Sequence, residues 1–230
     1  MTSPDALLAA VLAEPDDDLP RLMYADYLDE LGNASDTARA EFIRVQCALN
    51  AQPAEVDALP LRIREKLLQH QHGRAWLAPL QARGMPLFTP RSHGQFRRGF
   101  VEIVWMPAGW FVDKAAKLFR HCPVRELRIT HTTTDDHLAM CAVPDLLRLH
   151  RLDISDRKLG NITLTALPEV NERWKLQELI LRACGLDDDS ARVFDGLCPQ
   201  LTLLDISLNR LSEAAVRELR RRHPGTVIVT

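Results

Sequence analysis

The chain has little glycine, ten residues in 230. It contains no glycine-rich phosphate loop, no G-x-S-x-G elbow and no H-E-x-x-H pair, which removes the commonest sequence grounds for assigning an enzyme. No apolar run approaches the roughly 20 residues needed to span a bilayer. The first residues, MTSPDALLAAVLAEPDDD, lack the basic start of a signal peptide. Cysteines are few, five at the irregular positions 47, 122, 141, 184 and 198. An odd, irregular set argues against a disulfide framework and points to a reducing, cytoplasmic setting. Charge of one sign does not dominate, with a net of -2. Its distribution is uneven: residues 1–50 carry ten acidic and three basic side chains, and residues 51–123 carry five and eleven. An acidic head beside a basic neck reads as internal complementarity, or as a means of steering a partner.

What is present is a repeated spacing. Leu201, Leu204, Ile206, Asn209 and Leu211 stand at L-x-x-L-x-L-x-x-N-x-L intervals, the pattern of a leucine-rich repeat. Leu204 and Ile206, two apart, point to one face of a short strand. Asn209 sits where the chain turns away, and its amide can bond backbone groups left free there. Leu176, Leu179, Leu181, Cys184 and Leu186 repeat the spacing. So do Leu149, Leu152, Ile154, Arg157 and Leu159, where an arginine replaces the asparagine and the turn must be built differently. Val124, Leu127 and Ile129 form a weaker copy, and Phe100, Ile103 and Trp105 a degenerate first one. Val227 and Val229 read as a last strand. From Phe100 to Leu201 the copies start 24, 25, 27 and 25 residues apart. Phe111 to Phe119, Asp135 to Cys141, Asp188 to Leu197 and Ser212 to His223 suit helical returns; the stretch from Leu159 to Trp174 is the least regular. These lengths resemble the ribonuclease-inhibitor-like class. One such unit cannot bury its apolar face alone, so the copies must stack.

The N-terminal part is helical in pattern. Pro4 to Glu14 reads as a helix capped by Ser3 and stopped by Pro15. Asp16, Asp17 and Asp18 lack the alternation and glycine of a calcium loop, so Asp18 or a neighbour is expected to cap a second helix, Leu19 to Leu31, ended by Gly32. A third runs from about Thr37 to Leu49 with Phe42, Ile43, Val45 and Leu49 inward. Here Tyr24, Ala25, Asp26, Leu28, Glu30 and Gly32, then Glu41, Phe42, Ile43, Arg44 and Gln46, match a Y-A-D-W-L-E-E-x-G and A-E-F-I-R-x-Q arrangement. Over about residues 3–50 the chain resembles the bacterial repeat-companion domain, with Tyr27 in place of the usual Trp. The resemblance implies a helical domain just upstream of leucine-rich-type repeats, and no defined activity.

Between head and repeats, Pro53 and Pro60 bracket a change of segment. Leu61 to His72 reads as a helix with Ile63, Leu67 and Leu68 on one side. Trp76, Leu77 and Leu80 resume an apolar face after Gly73, and residues 84–95 look like a connecting loop. His70 and His72 have no further ligand at useful spacing for zinc. Arg97 and Arg98 beside Phe100 could suggest nucleic acid; pairing with the acidic head is the preferred reading, and nucleic acid is not expected as a partner.

The expectation is therefore an α/β chain: an N-terminal helical cap domain (1–50), a helical neck and connecting loop (51–99), and a short leucine-rich-repeat solenoid of about five repeats with a terminal strand (100–230). Its parallel strands would be concave and its helices convex. The strand positions facing the concave side are then Glu102, Glu126, Arg151, Glu178 and Leu203; Val104, Arg128, Asp153, Ile180 and Asp205; and Met106, Thr130, Ser155, Arg182 and Ser207. Glu126–Arg151–Glu178 and Arg128–Asp153 can form cross-strand ladders at the roughly 4.8 Å strand spacing.

Three functions remain. The first is a noncatalytic module that binds a protein partner through Glu126, Arg128, Arg151, Asp153, Glu178, Arg182 and Asp205. The second is a targeting or regulatory subunit docking through Tyr24, Asp26 and Tyr27 of the head. The third is an enzyme with an unrecognised site. His131 and His137 lie near Asp135 and Asp136, but a turn and a helix cap explain those acids. No catalytic, cofactor or metal residue is assigned. The basic run Arg217, Arg220, Arg221, Arg222 and His223 reads as a solvated, edge-protecting face rather than an anion site.

Overall fold

The computed structural model describes residues 3–85, 93–157, 160–167, 174, 176–197 and 201–230. The chain is α/β, with a helical N-terminal region and a seven-stranded, mostly parallel sheet. Helices α1 (Pro4–Ala13), α2 (Leu19–Glu30), α3 (Ala34–Asn50) and α4 (Glu55–Ala82) come first. Strands β1 (His93–Arg97) and β2 (Phe100–Met106) follow, then α5 (Ala108–His121), β3 (Glu126–Ile129), α6 (Thr134–Cys141) and β4 (Arg151–Asp153). The chain continues through α7 (Ile162–Thr165), β5 (Glu178–Ile180), α8 (Ser190–Leu197), β6 (Leu203–Asp205), α9 (Glu213–Arg222) and β7 (Val227–Val229). The described residues form two compact units. One gathers the chain up to Met85 with Gly94–Glu102 and Lys117–Pro123; the other holds His93, Ile103–Ala116 and the chain from Val124 onward.

In the first unit local chemistry sets the helix ends. Ser3 Oγ accepts from the Ala6 amide and caps α1; Asn33 Oδ1 does the same for Asp36 in α3. Within the acidic triplet Asp18 makes no capping bond, and its neighbour Asp17 serves the start of α2. The Leu19 amide goes to Asp17 Oδ1, at 2.9 Å. Gly32 ends the α2 segment at φ +71°, a conformation that favours glycine. Val11, Ala25, Leu28, Ala40, Ile43, Cys47 and Phe100 form one buried cluster. Gln46 of α3 is buried as well.

The expected break at Pro60 is absent. One 28-residue helix runs through Pro60, Gly73 and Pro79; each proline removes only one i→i−4 bond. The face that α4 buries also differs from expectation: Ala58, Leu68 and Leu77 point inward, whereas Ile63 and Leu67 are 53% and 47% exposed. Of the expected 84–95 loop, residues 86–92 lie outside the described set, and His93 onward is strand.

In the second unit β2 to β7 are parallel in chain order. Parallel neighbours need a crossover, and a helix-bearing return supplies it each time. Thr133 closes a full capping box on α6, and Ser212 caps α9. Val104, Leu127, Leu152, Leu179, Leu204 and Ile228 share one register line and all are buried. Met106, Ile129, Ile154, Leu181 and Ile206 form a second buried set. Phe111, Met140, Leu164, Phe194, Val216 and Leu219 of the returns are buried too.

The four middle strands follow the sequence reading, and the two outer ones do not. In β2 Val104, not Ile103, aligns with Leu127; in β7 Ile228, not Val227, aligns with Leu204. A one-residue slip exchanges the two faces of a strand. Val104 and Met106 therefore leave the expected concave row for the core, while Val227 and Val229 become 63% and 40% exposed.

The outer edge of β7 is partly closed. The Val227 amide donates to Thr202 O and Val229 O accepts from the Ile206 amide, so both residues bond toward β6. The backbone groups of Ile228 must then point away. Arg220 Nη2 donates to that outward Ile228 carbonyl at 3.1 Å.

Candidate functional site

On the face of the sheet opposite the core, the register builds two rows. One reads Ile103, Glu126, Arg151, Glu178, Leu203, Val227; the other Trp105, Arg128, Asp153, Ile180, Asp205, Val229. Arg151 Nη1 donates to Glu178 Oε2. Arg128 Nε stands 3.5 Å from Asp153 Oδ2. The Arg128–Asp153 contact and the Arg151–Glu178 half of the expected Glu126–Arg151–Glu178 ladder are thus in place. Pairs this exposed contribute only about 0–1 kcal/mol each; their effect is to neutralise the middle of the face. Toward β6 and β7 the composition changes. Leu203, Val227 and Val229 put apolar surface there, and Arg182, just past the end of β5, is exposed. Ile180 and Ser155, expected on the open face, are buried.

Asp153 and Asp205 have a second task. Each accepts from the amide two residues on, Ser155 and Ser207 respectively, at 2.9 Å. These bonds close the strand ends into turns. Asn209 completes the turn after β6: its Oδ1 accepts from Cys184 and Leu186 amides at 2.9 and 3.1 Å, and its Nδ2 donates to Leu181 and Ile206 carbonyls at 2.8 Å. Cys184 at the corresponding position donates its thiol to Ile154 O at 3.2 Å. At Arg157 the side chain donates to Ser155 O, through Nε at 3.0 Å. The residue before each of these three, Asp156, Ala183 and Leu208, has φ of 61°, 53° and 57°. The acidic triplet 187–189 links neighbouring returns: Asp187 Oδ1 accepts from Asn161, and Asp188 Oδ1 from the Ser212 amide at 2.7 Å. That bond holds the Asp188 carboxyl below its ordinary pKa.

In the head, Asp26 and Asp29 are clamped by one residue. Arg44 donates to Asp26 Oδ1 and Asp29 Oδ2, each at 2.6 Å. Tyr24 and Tyr27 pack against the buried cluster, and Tyr24 meets Phe100 edge-on at 5.5 Å. Burial pushes the Tyr24 hydroxyl pKa up. Of the three head candidates only Asp26 is exposed.

Two arginines hold the head to the β1–β2 hairpin within this unit. Arg98 Nη2 and Nη1 donate to Pro15 O and Asp16 O at 2.8 and 3.0 Å. Arg21 donates to Pro15 O and to Arg98 O at 2.7 and 3.1 Å. Between them lies Glu102, 1% exposed, 2.6 Å from Arg21 and 3.1 Å from Arg98. Burial raises the Glu102 carboxyl pKa, opposed by the two guanidiniums. This accounts for Arg98 as a partner of the acidic head. It also removes Glu102 from the expected concave row. Arg98 and Gly99 both have positive φ, 48° and 83°, as a two-residue hairpin turn requires. A Cβ on Gly99 would lie 2.3 Å from Ile43 Cγ1. Arg21 has no short motif to mark it; its position one turn after the Asp triplet is the only hint in the sequence.

A third feature is a cation among rings. The Arg39 guanidinium lies 4.8 Å from the centroids of both Trp76 and Phe96. Desolvation lowers its pKa to about 10. A cleft of about 640 Å³ adjoins this region, lined by Gln46, Asn50, Gln52, Arg62, Lys66, Gln95 and Arg97 among others. Its lining is mostly polar, with Arg62, Lys66, Arg97 and Arg98 against one acid, Glu65, and it converges no nucleophile with a base.

For chemistry, the cysteines are poorly placed. Burial pushes the thiols of Cys47, Cys122 and Cys141 up to about 12 and that of Cys184 to about 11. His137 is buried, with Nε2 3.5 Å from Cys141 Sγ. Asp136 serves the α6 capping box. Among the described residues no three metal-binding side chains cluster, and no helix is long and apolar enough to cross a membrane. No protein-family model matches the chain, and no curated protein matches its sequence.

Proposed function

We propose that this chain is a noncatalytic recognition module: a leucine-rich-repeat solenoid that binds a protein partner through the concave face of its strands, headed by a repeat-companion domain. The observation that carries the reading is the pair of in-register side-chain rows across six parallel strands. Such rows form a broad, rigid surface on main-chain scaffolding, suited to another protein rather than to a small substrate. The bonds made by Asn209, spanning two successive turns, support the repeat class. Within the face, charge is already paired at Arg151–Glu178 and Arg128–Asp153. The affinity-bearing residues are then Leu203, Val227 and Val229, which supply apolar area, and exposed Arg182, which supplies a cation. The head positions Tyr24, Asp26 and Tyr27 support folding of the head more than docking, because two are packed and the third is clamped. A reducing, cytoplasmic location in a bacterium fits the four free cysteines buried among the described residues.

The test is a pull-down from lysate of the source organism with four baits: wild type, Arg182→Glu/Val227→Glu, Arg128→Glu/Arg151→Glu, and Asp26→Lys. A specific partner lost with Arg182→Glu/Val227→Glu and kept with Asp26→Lys supports the reading. A partner lost only with Asp26→Lys would transfer recognition to the head.

A further inference from the structure

The longest helix leaves an apolar stripe uncovered. Val56, Leu59, Ile63 and Leu67 of α4 are 78%, 56%, 53% and 47% exposed. Their spacing of three, four and four residues places them along one side of a helix turning about 100° per residue. Ala58 and Leu68, on the opposite side, are the ones buried. The stripe rises roughly 16 Å along the axis at 1.5 Å per residue. Scattered surface leucines need no explanation, but four aligned aliphatic side chains form a patch of the kind that marks an interaction site.

The charges beside the stripe identify its occupant. Glu55, Arg62 and Lys66 line one flank, and Asp57 and Arg64 the other. Within the chain Glu55 holds Arg62, and Arg64 holds Glu41. The flanks begin acidic and end basic. In a two-fold antiparallel pair each flank meets its own copy in reverse. Setting Val56 against Leu67 and Leu59 against Ile63 then puts Glu55 opposite Lys66 on one flank and Asp57 opposite Arg64 on the other. Both ion pairs arise from the same register that closes the apolar stripe. A parallel pair would set Glu55 beside Asp57 and Lys66 beside Arg64, like charges on both flanks.

We infer that the α4 stripe is the contact of a symmetric homodimer, with α4 of one chain antiparallel to α4 of a second copy. The contact is isologous, so it closes at two copies and does not propagate. The contact uses no residue of the strand rows, and a dimer would carry two copies of those rows, raising avidity for a partner without new contacts.

Sedimentation equilibrium of the full chain, from about 5 μM to about 500 μM, tests this over the range where one-helix interfaces associate. Wild type should approach twice the 26.0 kDa chain mass. Ile63→Glu should weaken association by tenfold or more, and Leu59→Ser repeats the test should Ile63→Glu alter the circular dichroism spectrum. Lys66→Glu alone should weaken the dimer, and adding Glu55→Lys to it should restore most of the loss. A chain that stays monomeric throughout the range overturns the inference and leaves the stripe to a different helix or segment. A dimer indifferent to Ile63→Glu and Leu59→Ser also overturns it. A dimer lost with Ile63→Glu but not recovered by the charge swap rules out the antiparallel register.

Discussion

Arg21 Nη2 lies 2.6 Å from Glu102 Oε1, with the two side chains 0% and 1% exposed. Removing one partner of such a pair leaves an uncompensated buried charge, which costs far more than the pair itself contributes. Glu102→Leu leaves both Arg21 and Arg98 without their shared carboxylate and should destabilise the chain by about 3–5 kcal/mol. Arg21→Met should cost less, because Glu102 keeps Arg98. The double variant Arg21→Met/Glu102→Leu should be more stable than Glu102→Leu alone. Urea midpoints at unchanged m-value measure all three, and a Glu102→Leu cost near zero would contradict the role given to this pair.

Asn209 bonds two amides and two carbonyls across adjacent turns. Asn209→Ala should cost about 2 kcal/mol, since unpaired backbone groups carry penalties of roughly 1–3 kcal/mol. Amide exchange at Cys184 and Leu186 should accelerate more than exchange in β3. Equal acceleration across the sheet would mean that the loss is global rather than local.

Leu208 is 67% exposed and sits at φ +57°. A leucine gains nothing from burial there and carries the strain of the left-handed region. Leu208→Asn should stabilise by about 0.5–1 kcal/mol, read as a rise in Tm. A fall in Tm would show that the leucine makes a contact worth more than the strain it bears.

Asp188 titrates with a depressed pKa because its carboxylate accepts the Ser212 amide. The unfolded chain binds this proton more tightly, so the contribution is complete above the unfolded value, 3.8. It is lost as pH falls through the folded value. Asp188→Asn should flatten the acid limb of the stability curve and leave the pH 7 to 8 region parallel to wild type. An acid limb that keeps its wild-type slope would assign the effect elsewhere.

The inner strands were legible because leucine spacing, period two and turn chemistry agree there. Leu127, Leu152, Leu179 and Leu204 share one line, as their intervals imply. The end strands misled because apolar residues stand on both faces. In FVEIVWM the run is nearly continuous and β2 is buried on both sides, so alternation carries no information. In β7 all three residues are aliphatic, and only the neighbouring register selects Ile228. The α4 stripe misled for the opposite reason: aliphatic periodicity gives a face but not whether that face points to the core. Ladder charges were legible because pairing follows from register. The Arg21–Glu102 pair was not, because its members are far apart in sequence and only the folded hairpin joins them.

The bond from Arg220 to the Ile228 carbonyl acts as a stop on strand addition. A further strand, whether from continuing chain or from another molecule, must first displace that guanidinium from the one outward carbonyl of β7. Inserting an extra unit between β5 and β6 leaves the stop in place, whereas appending one after β7 requires the arginine to give way and a successor to be supplied at the new rim.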